Sequence, residues 1–173
     1  MKKLIRVVTV PVSLEKLLNG QWEFFKPHYD ITAVSANKEK LKAFGDDFDT
    51  KTFYVPLTRK ITPFSDLKAI MLFYFFLRKE KPLIVHSQTP KAGLIGMIAA
   101  FFARVPIRMH DVVGLPLMEK TGWKYKLLYY VEKLIYACAH RIYPNSFKLK
   151  EYMLESKLSS NAKMKVLANG SSN

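Results

Sequence analysis

The chain contains one cysteine, Cys138, which excludes an internal disulfide and a cysteine-built zinc site and fits a reducing cytoplasm. It also lacks an apolar run of the ~20 residues that a membrane-spanning helix needs; AIMLFYFFL at residues 69–77 is too short. Met1-Lys2-Lys3 looks like the start of an export signal. Arg6 and Pro11 interrupt the apolar stretch after it, however, and no small-residue cleavage site appears, so neither export nor integral anchoring is expected. Glycine-rich phosphate cradles of the Walker or G-x-G-x-x-G kind are absent, as is the G-x-S-x-G elbow of many hydrolases. Acidic residues are scarce, 14 against 28 basic ones in 173 residues, giving a formal net charge of +14. That balance favours acidic partners: nucleic acid, anionic lipid or phosphorylated small molecules. With 49% hydrophobic residues and no low-complexity tract, the length suits one domain with a sizeable core.

What is present is a regular alternation of apolar runs and helical patterns. Residues 4–10 read as a strand buried on both faces, followed by a helix over 14–25 with Ser13 as its cap and Gly20 inside it. A second strand is expected at 29–35, a short helix capped by Asn37 and ending at Gly45, and a third strand at 52–55. Thr62-Pro63 opens a helix with Asp66 early and Arg78, Lys79 and Lys81 late, the order that suits the helix dipole. A fifth strand is expected at 107–111, a helix at 123–139 with Trp123, Leu127, Val131, Leu134, Ile135 and Cys138 along its buried side, short strands at 141–143 and 163–168, and between those two a helix capped by Asn145 or Ser146. Strand and helix alternate without hairpin signals, so the expected fold is α/β, a Rossmann-like, doubly wound, mainly parallel sheet in a single domain.

The centre of that pattern is residues 82–103, PLIVHSQTPKAGLIGMIAAFFA. A short apolar strand ends in His86-Ser87-Gln88, and Thr89-Pro90 opens a helix, with threonine suited to the cap and proline to the first helical position. Lys91 then sits beside amides that favour an anion. Ligands of parallel sheets bind beyond the carboxyl ends of the strands, so the loops at 11–13, 86–91, 110–121 and 145–146 are the candidate rim. Among the four histidines, His86 and His110 fall at strand ends, and Asp111 beside His110 is placed to act as a base or to orient a hydroxyl. A satisfied structural histidine is the competing reading at each position.

HSQTPKAG at 86–93, GLPLMEKTG at 114–122, YPNS at 143–146 and VLANGSSN at 166–173 together resemble the amino-terminal domain of family 4 glycosyltransferases, nearest to bacterial enzymes of capsular and surface polysaccharide assembly. The resemblance implies the GT-B fold of two Rossmann-like domains, with residues 1–168 forming the acceptor-side domain and 169–173 beginning the linker to a donor domain. It implies retaining transfer of a sugar from a nucleotide sugar, with no cofactor and no metal, to a saccharide acceptor that is lipid-linked, and a fragment inactive without its other half. It also implies a peripheral, cytoplasmic position at the inner face of the plasma membrane, in contact with anionic lipid. The candidate acceptor and phosphate contacts are Ser13, Arg59, His86, Gln88, Thr89, Lys91, Gly114, Asn145 and Ser146, and the candidate catalytic residues are His110 and Asp111. Many family members carry a histidine just before the glycine of the fifth-strand loop; here Val112 and Val113 precede Gly114. In the family the acceptor hydroxyl is thought to be deprotonated by the leaving phosphate, so a protein base is not required. No nucleic acid is expected as partner, since no binding motif accompanies the charge. A stand-alone basic Rossmann-like module for phosphorylated ligands or nucleic acid is the alternative.

Overall fold

The computed structural model describes residues 1–17, 20–168 and 170. Six strands, β1 (Lys2–Val7), β2 (Tyr29–Ser35), β3 (Lys51–Tyr54), β4 (Ile84–Gln88), β5 (Ile107–Val112) and β6 (Arg141–Pro144), form one sheet in the order β3-β2-β1-β4-β5-β6. Every pairing is parallel, as the apolar, hairpin-free strands predict. The order steps outward from β1 in one direction and from β4 in the other, so the rim between β1 and β4 is the place where the winding reverses.

Helices cover the two faces differently. Helices α1 (Val12–Leu17), α2 (Gln21–Phe25) and α3 (Lys38–Asp47) pack Leu14, Trp22, Leu41 and Phe44 against Leu4, Val8, Ile31 and Ala33. Helices α4 (Pro63–Glu80), α5 (Pro90–Phe102), α6 (Gly122–Cys138) and α7 (Phe147–Glu155) bury Phe73, Ile95, Ile135 and Leu149 in a larger cluster with Ile5, Val7, Val85, Val112 and Ile142. Side-chain alternation along β1 sends Ile5 and Val7 to one face and Leu4 and Val8 to the other. Helix α5 presses closest. A Cβ at Gly93 would stand 2.4 Å from His110 Cε1, and one at Gly96 would stand 3.3 Å from Ser87 Cβ, so the small-residue side of this helix is what lets it lie on the sheet.

Four expectations change. The helix expected over 14–25 is two short ones, with Gly20 at φ 75°, a left-handed backbone that starts α2 in a new direction; α1 begins at Val12, so Ser13 lies inside it rather than capping it. The strand expected at 163–168 is a 3-10 turn at Asn161–Lys163 and a single parallel bridge from Met164 to Ile142. Thr89 and Thr62 precede proline-headed helices without capping them through their side chains. The buried side of α6 carries Glu132, Ile135, Tyr136 and Cys138, whereas Trp123, Leu127 and Leu134 are exposed. Asn37 and Ser146 do cap, accepting from the amides of Lys40 and Leu149. Of the expected linker, residues 169 and 171–173 lie outside the described residues.

Candidate functional site: the carboxyl rim of the sheet

Two charged clusters meet this rim, one on each face. On the α1–α3 face Arg6 rises from β1 into the space between β4 and β5. Its guanidinium donates to His86 Nδ1, which leaves the proton on Nε2, and that nitrogen donates to Asp111 Oδ1 at 2.6 Å. A second guanidinium nitrogen stands 3.9 Å from Asp111 Oδ2 and 3.4 Å from Gln21 Oε1. Burial and the Arg6 charge lower the His86 pKa and keep the ring neutral. Burial alone would raise the Asp111 pKa; His86 and Arg6 more than offset it and hold the carboxylate ionised below its ordinary range. Arg6, His86 and Asp111 line a cavity of ≈ 360 Å³ with Tyr143, Asn145 and Gly170. The Asn145 amide donates to Val113 O at 3.1 Å, which joins the loop after β5 to the end of β6.

His110 points the other way. It is 2% exposed, its Nδ1 lies 2.8 Å from the Ser87 hydroxyl, and burial takes its pKa down to about 4. The neutral imidazole fills the notch left by Gly93. Thr89 is held between the faces at φ 79°, a costly conformation for a β-branched residue. Its hydroxyl lies 2.6 Å from that of Thr9 and accepts from the Thr9 amide, clasping the end of β4 to the turn after β1. Beside it Gln88 is 1% exposed, and neither atom of its amide has a hydrogen-bond partner.

On the α4–α6 face Lys91 does not present a free charge to the rim. Its ammonium donates to Asp66 Oδ2 at 2.6 Å, both side chains are about one-tenth exposed, and Thr62 donates to the other Asp66 oxygen at 2.9 Å. This pair lines a second cavity of ≈ 320 Å³ together with Arg59, Lys60 and Glu132. The structure thus brings His86, Asp111 and Asn145 to one cavity and Arg59 and Lys91 to another. Ser146 stands at the head of α7 as its cap, Ser13 lies in the first turn of α1, and Gly114 is exposed. Sequence reasoning missed Arg6, Asp66 and Glu132 as members of these clusters. Arg6 had a readable signal, being the one charge within residues 4–10. Among the described residues no group of three or more His, Cys, Asp or Glu side chains could hold a metal ion, and no helix is long and apolar enough to cross a membrane.

The profile of a known family, the glycosyl transferase 4-like domain, matches residues 30–170. The chain belongs to this family. A capsular polysaccharide biosynthesis glycosyltransferase, CapM of Staphylococcus aureus, is 42% identical over 173 residues, covering 99% of this chain and 44% of that protein. An Escherichia coli UDP-Gal:alpha-D-GlcNAc-diphosphoundecaprenol alpha-1,3-galactosyltransferase is 31% identical over 144 residues, 82% of this chain and 37% of that protein. The chain therefore spans less than half the length of the curated relatives it matches. Among solved structures, Anabaena HepE in complex with UDP superposes with a TM-score of 0.70 over 96% of this chain and 44% of that one, at 14% identity. At that identity the likeness concerns the fold alone. Glycosyl transferase 4-like membership and the doubly wound sheet agree with the sequence resemblance, and they make the rim described above the natural place for a ligand.

Proposed function

We propose that this chain is the acceptor-binding half of a retaining glycosyltransferase of surface polysaccharide assembly. In this reading a second domain delivers the nucleotide sugar, the acceptor is a lipid-linked saccharide, and no cofactor takes part. The observation that carries the reading is the 42% identity to a capsular glycosyltransferase along essentially the whole chain, which spans 44% of that protein. A lipid-linked acceptor is supported by the diphosphoundecaprenol in the name of the second relative.

In this proposal Asp111, not His110, meets the acceptor. His110 is buried on the far face and neutral, whereas Asp111 lines an open cavity. A carboxylate held ionised by His86 and Arg6 is a weak base, so its role is to accept a hydrogen bond and orient the acceptor hydroxyl while the leaving phosphate takes the proton. The test is transfer from a UDP-sugar to a diphosphoundecaprenol-linked saccharide, comparing this chain alone with the chain joined to a donor domain. Product is expected only from the joined protein; transfer by the chain alone overturns the half-enzyme reading.

The same reading places the chain at the cytoplasmic face of an anionic membrane. Phe64, Leu67, Met71 and Phe75 stand exposed along one stripe of α4, and Trp123, Leu127, Tyr130 and Leu134 along one stripe of α6, amid a net charge of +14. Apolar stripes framed by cations suit an anionic interface. Co-sedimentation with phosphatidylglycerol vesicles is therefore expected to exceed that with phosphatidylcholine vesicles and to weaken with added salt. A Trp123→Ser, Tyr130→Ser double variant should bind the anionic vesicles about tenfold more weakly. Equal binding to both vesicle types removes the electrostatic part of this reading.

A further inference from the structure

We propose that the cavity between α4, α5, α6 and the loop bearing Arg59 and Lys60 seats the first isoprene units of a prenyl diphosphate, with those two cations holding the diphosphate at its mouth. This rests on the lipid-linked reading above and names the part of such an acceptor that this chain grips. The walls are Ile61, Pro63, Leu94, Leu127, Leu128 and Val131 around ≈ 320 Å³, within the size range of small-molecule pockets. A saccharide there would leave its hydroxyls unpaired against aliphatic side chains, which is costly; a branched hydrocarbon would not. Arg59 and Lys60 are exposed at the edge, and Leu127, one of the walls, belongs to the exposed stripe of α6, so a longer chain can leave the cavity along that stripe.

The second observation is Glu132. It is 3% exposed and lines this cavity, and among the described residues no cation lies within ion-pair distance of it. The nearby Lys91 is taken by Asp66. Tyr136, one turn along α6, is the side chain that interacts with it, and His110 beyond Tyr136 is neutral. Burial pushes Glu132 up to about 7, so near neutrality the carboxyl alternates between charged and uncharged. Hydrocarbon entering the cavity removes the remaining water and favours the uncharged form. Prenyl binding and protonation of Glu132 are therefore linked, and affinity falls as pH rises past 7.

The test titrates the chain with farnesyl diphosphate and, separately, with inorganic pyrophosphate, read by calorimetry and by Trp123 fluorescence. Farnesyl diphosphate is expected to bind at least about tenfold more tightly than pyrophosphate at pH 6.5. Leu94→Trp, which fills the cavity, should abolish that advantage and leave pyrophosphate binding unchanged. Leu128→Trp is the second variant if Leu94→Trp lowers the melting temperature. Raising the pH to 8.5 should weaken farnesyl diphosphate about tenfold in the parent and much less in Glu132→Gln. Equal binding of the two ligands, or an advantage that survives both tryptophans, overturns the proposal; a Glu132→Gln profile identical to the parent's overturns the role of Glu132. Transfer to a diphosphoundecaprenol-linked saccharide that is unaffected by Leu94→Trp sinks this inference and leaves the transferase reading standing. Cavity-dependent farnesyl binding in a protein that transfers nothing does the reverse.

Discussion

An Arg6→Met variant is expected to lose roughly 3 kcal/mol of stability at pH 8, because it takes the guanidinium charge from the buried Asp111 carboxylate and leaves it hydrogen-bonded to a neutral imidazole. For a chain of this length that lowers the melting temperature by about 6–12 °C. The loss should shrink on acidification. Arg6 is one of the two causes that depress His86, the larger being burial, so removing it lets the imidazole take a proton at higher pH and form an ion pair with Asp111. The variant's imidazole is depressed less than the parent's, so protonation costs the variant less folding free energy as pH falls, which puts the larger deficit on the alkaline side. Urea denaturation of parent and variant at pH 5.5 and pH 8 is the check, and a deficit that grows on acidification contradicts the Arg6–His86–Asp111 relay.

The second large effect concerns Asp66. Removing it with Asp66→Ala leaves the Lys91 ammonium without an anion in a site where its side chain is about one-tenth exposed, a loss of roughly 3 kcal/mol in denaturation. Replacing both partners, Asp66→Leu with Lys91→Met, should return stability to within about 1 kcal/mol of the parent, since an apolar pair of similar volume avoids both desolvation costs. That double variant also separates structure from ligand binding. If it is stable and transfers sugar in the joined protein with an unchanged acceptor KM, Lys91 serves the fold. A raised KM in a stable protein assigns the lysine to the acceptor.

The fold was legible because its strands are nearly continuous apolar runs, which parallel sheets require, and because proline and polar residues punctuate them. The site was legible only as a set of loops. Lys91 reads as a free cation beside a helix start, yet α4 brings Asp66 to it from 25 positions away, a contact that no local pattern encodes. His110 and Asp111 are neighbours in sequence, and strand alternation sends them to opposite faces. On α6 the helical period fits two stripes. The stripe led by Trp123 shares Ile135 and Cys138 with the buried one, but the structure exposes Trp123, Leu127 and Leu134 and buries Glu132 and Tyr136 in their place; a carboxylate is seldom buried, so the apolar count alone does not select that stripe.

The notch between α5 and β5 has a consequence for descent. Imidazole carbon occupies the spot a methyl group on residue 93 would need, 2.4 Å away, and Ser87 fixes the ring from the other side. Positions 93 and 110 are thus a single choice written twice. A lineage that enlarges one must first shrink the other, so the two should be inherited, and exchanged, as a couple.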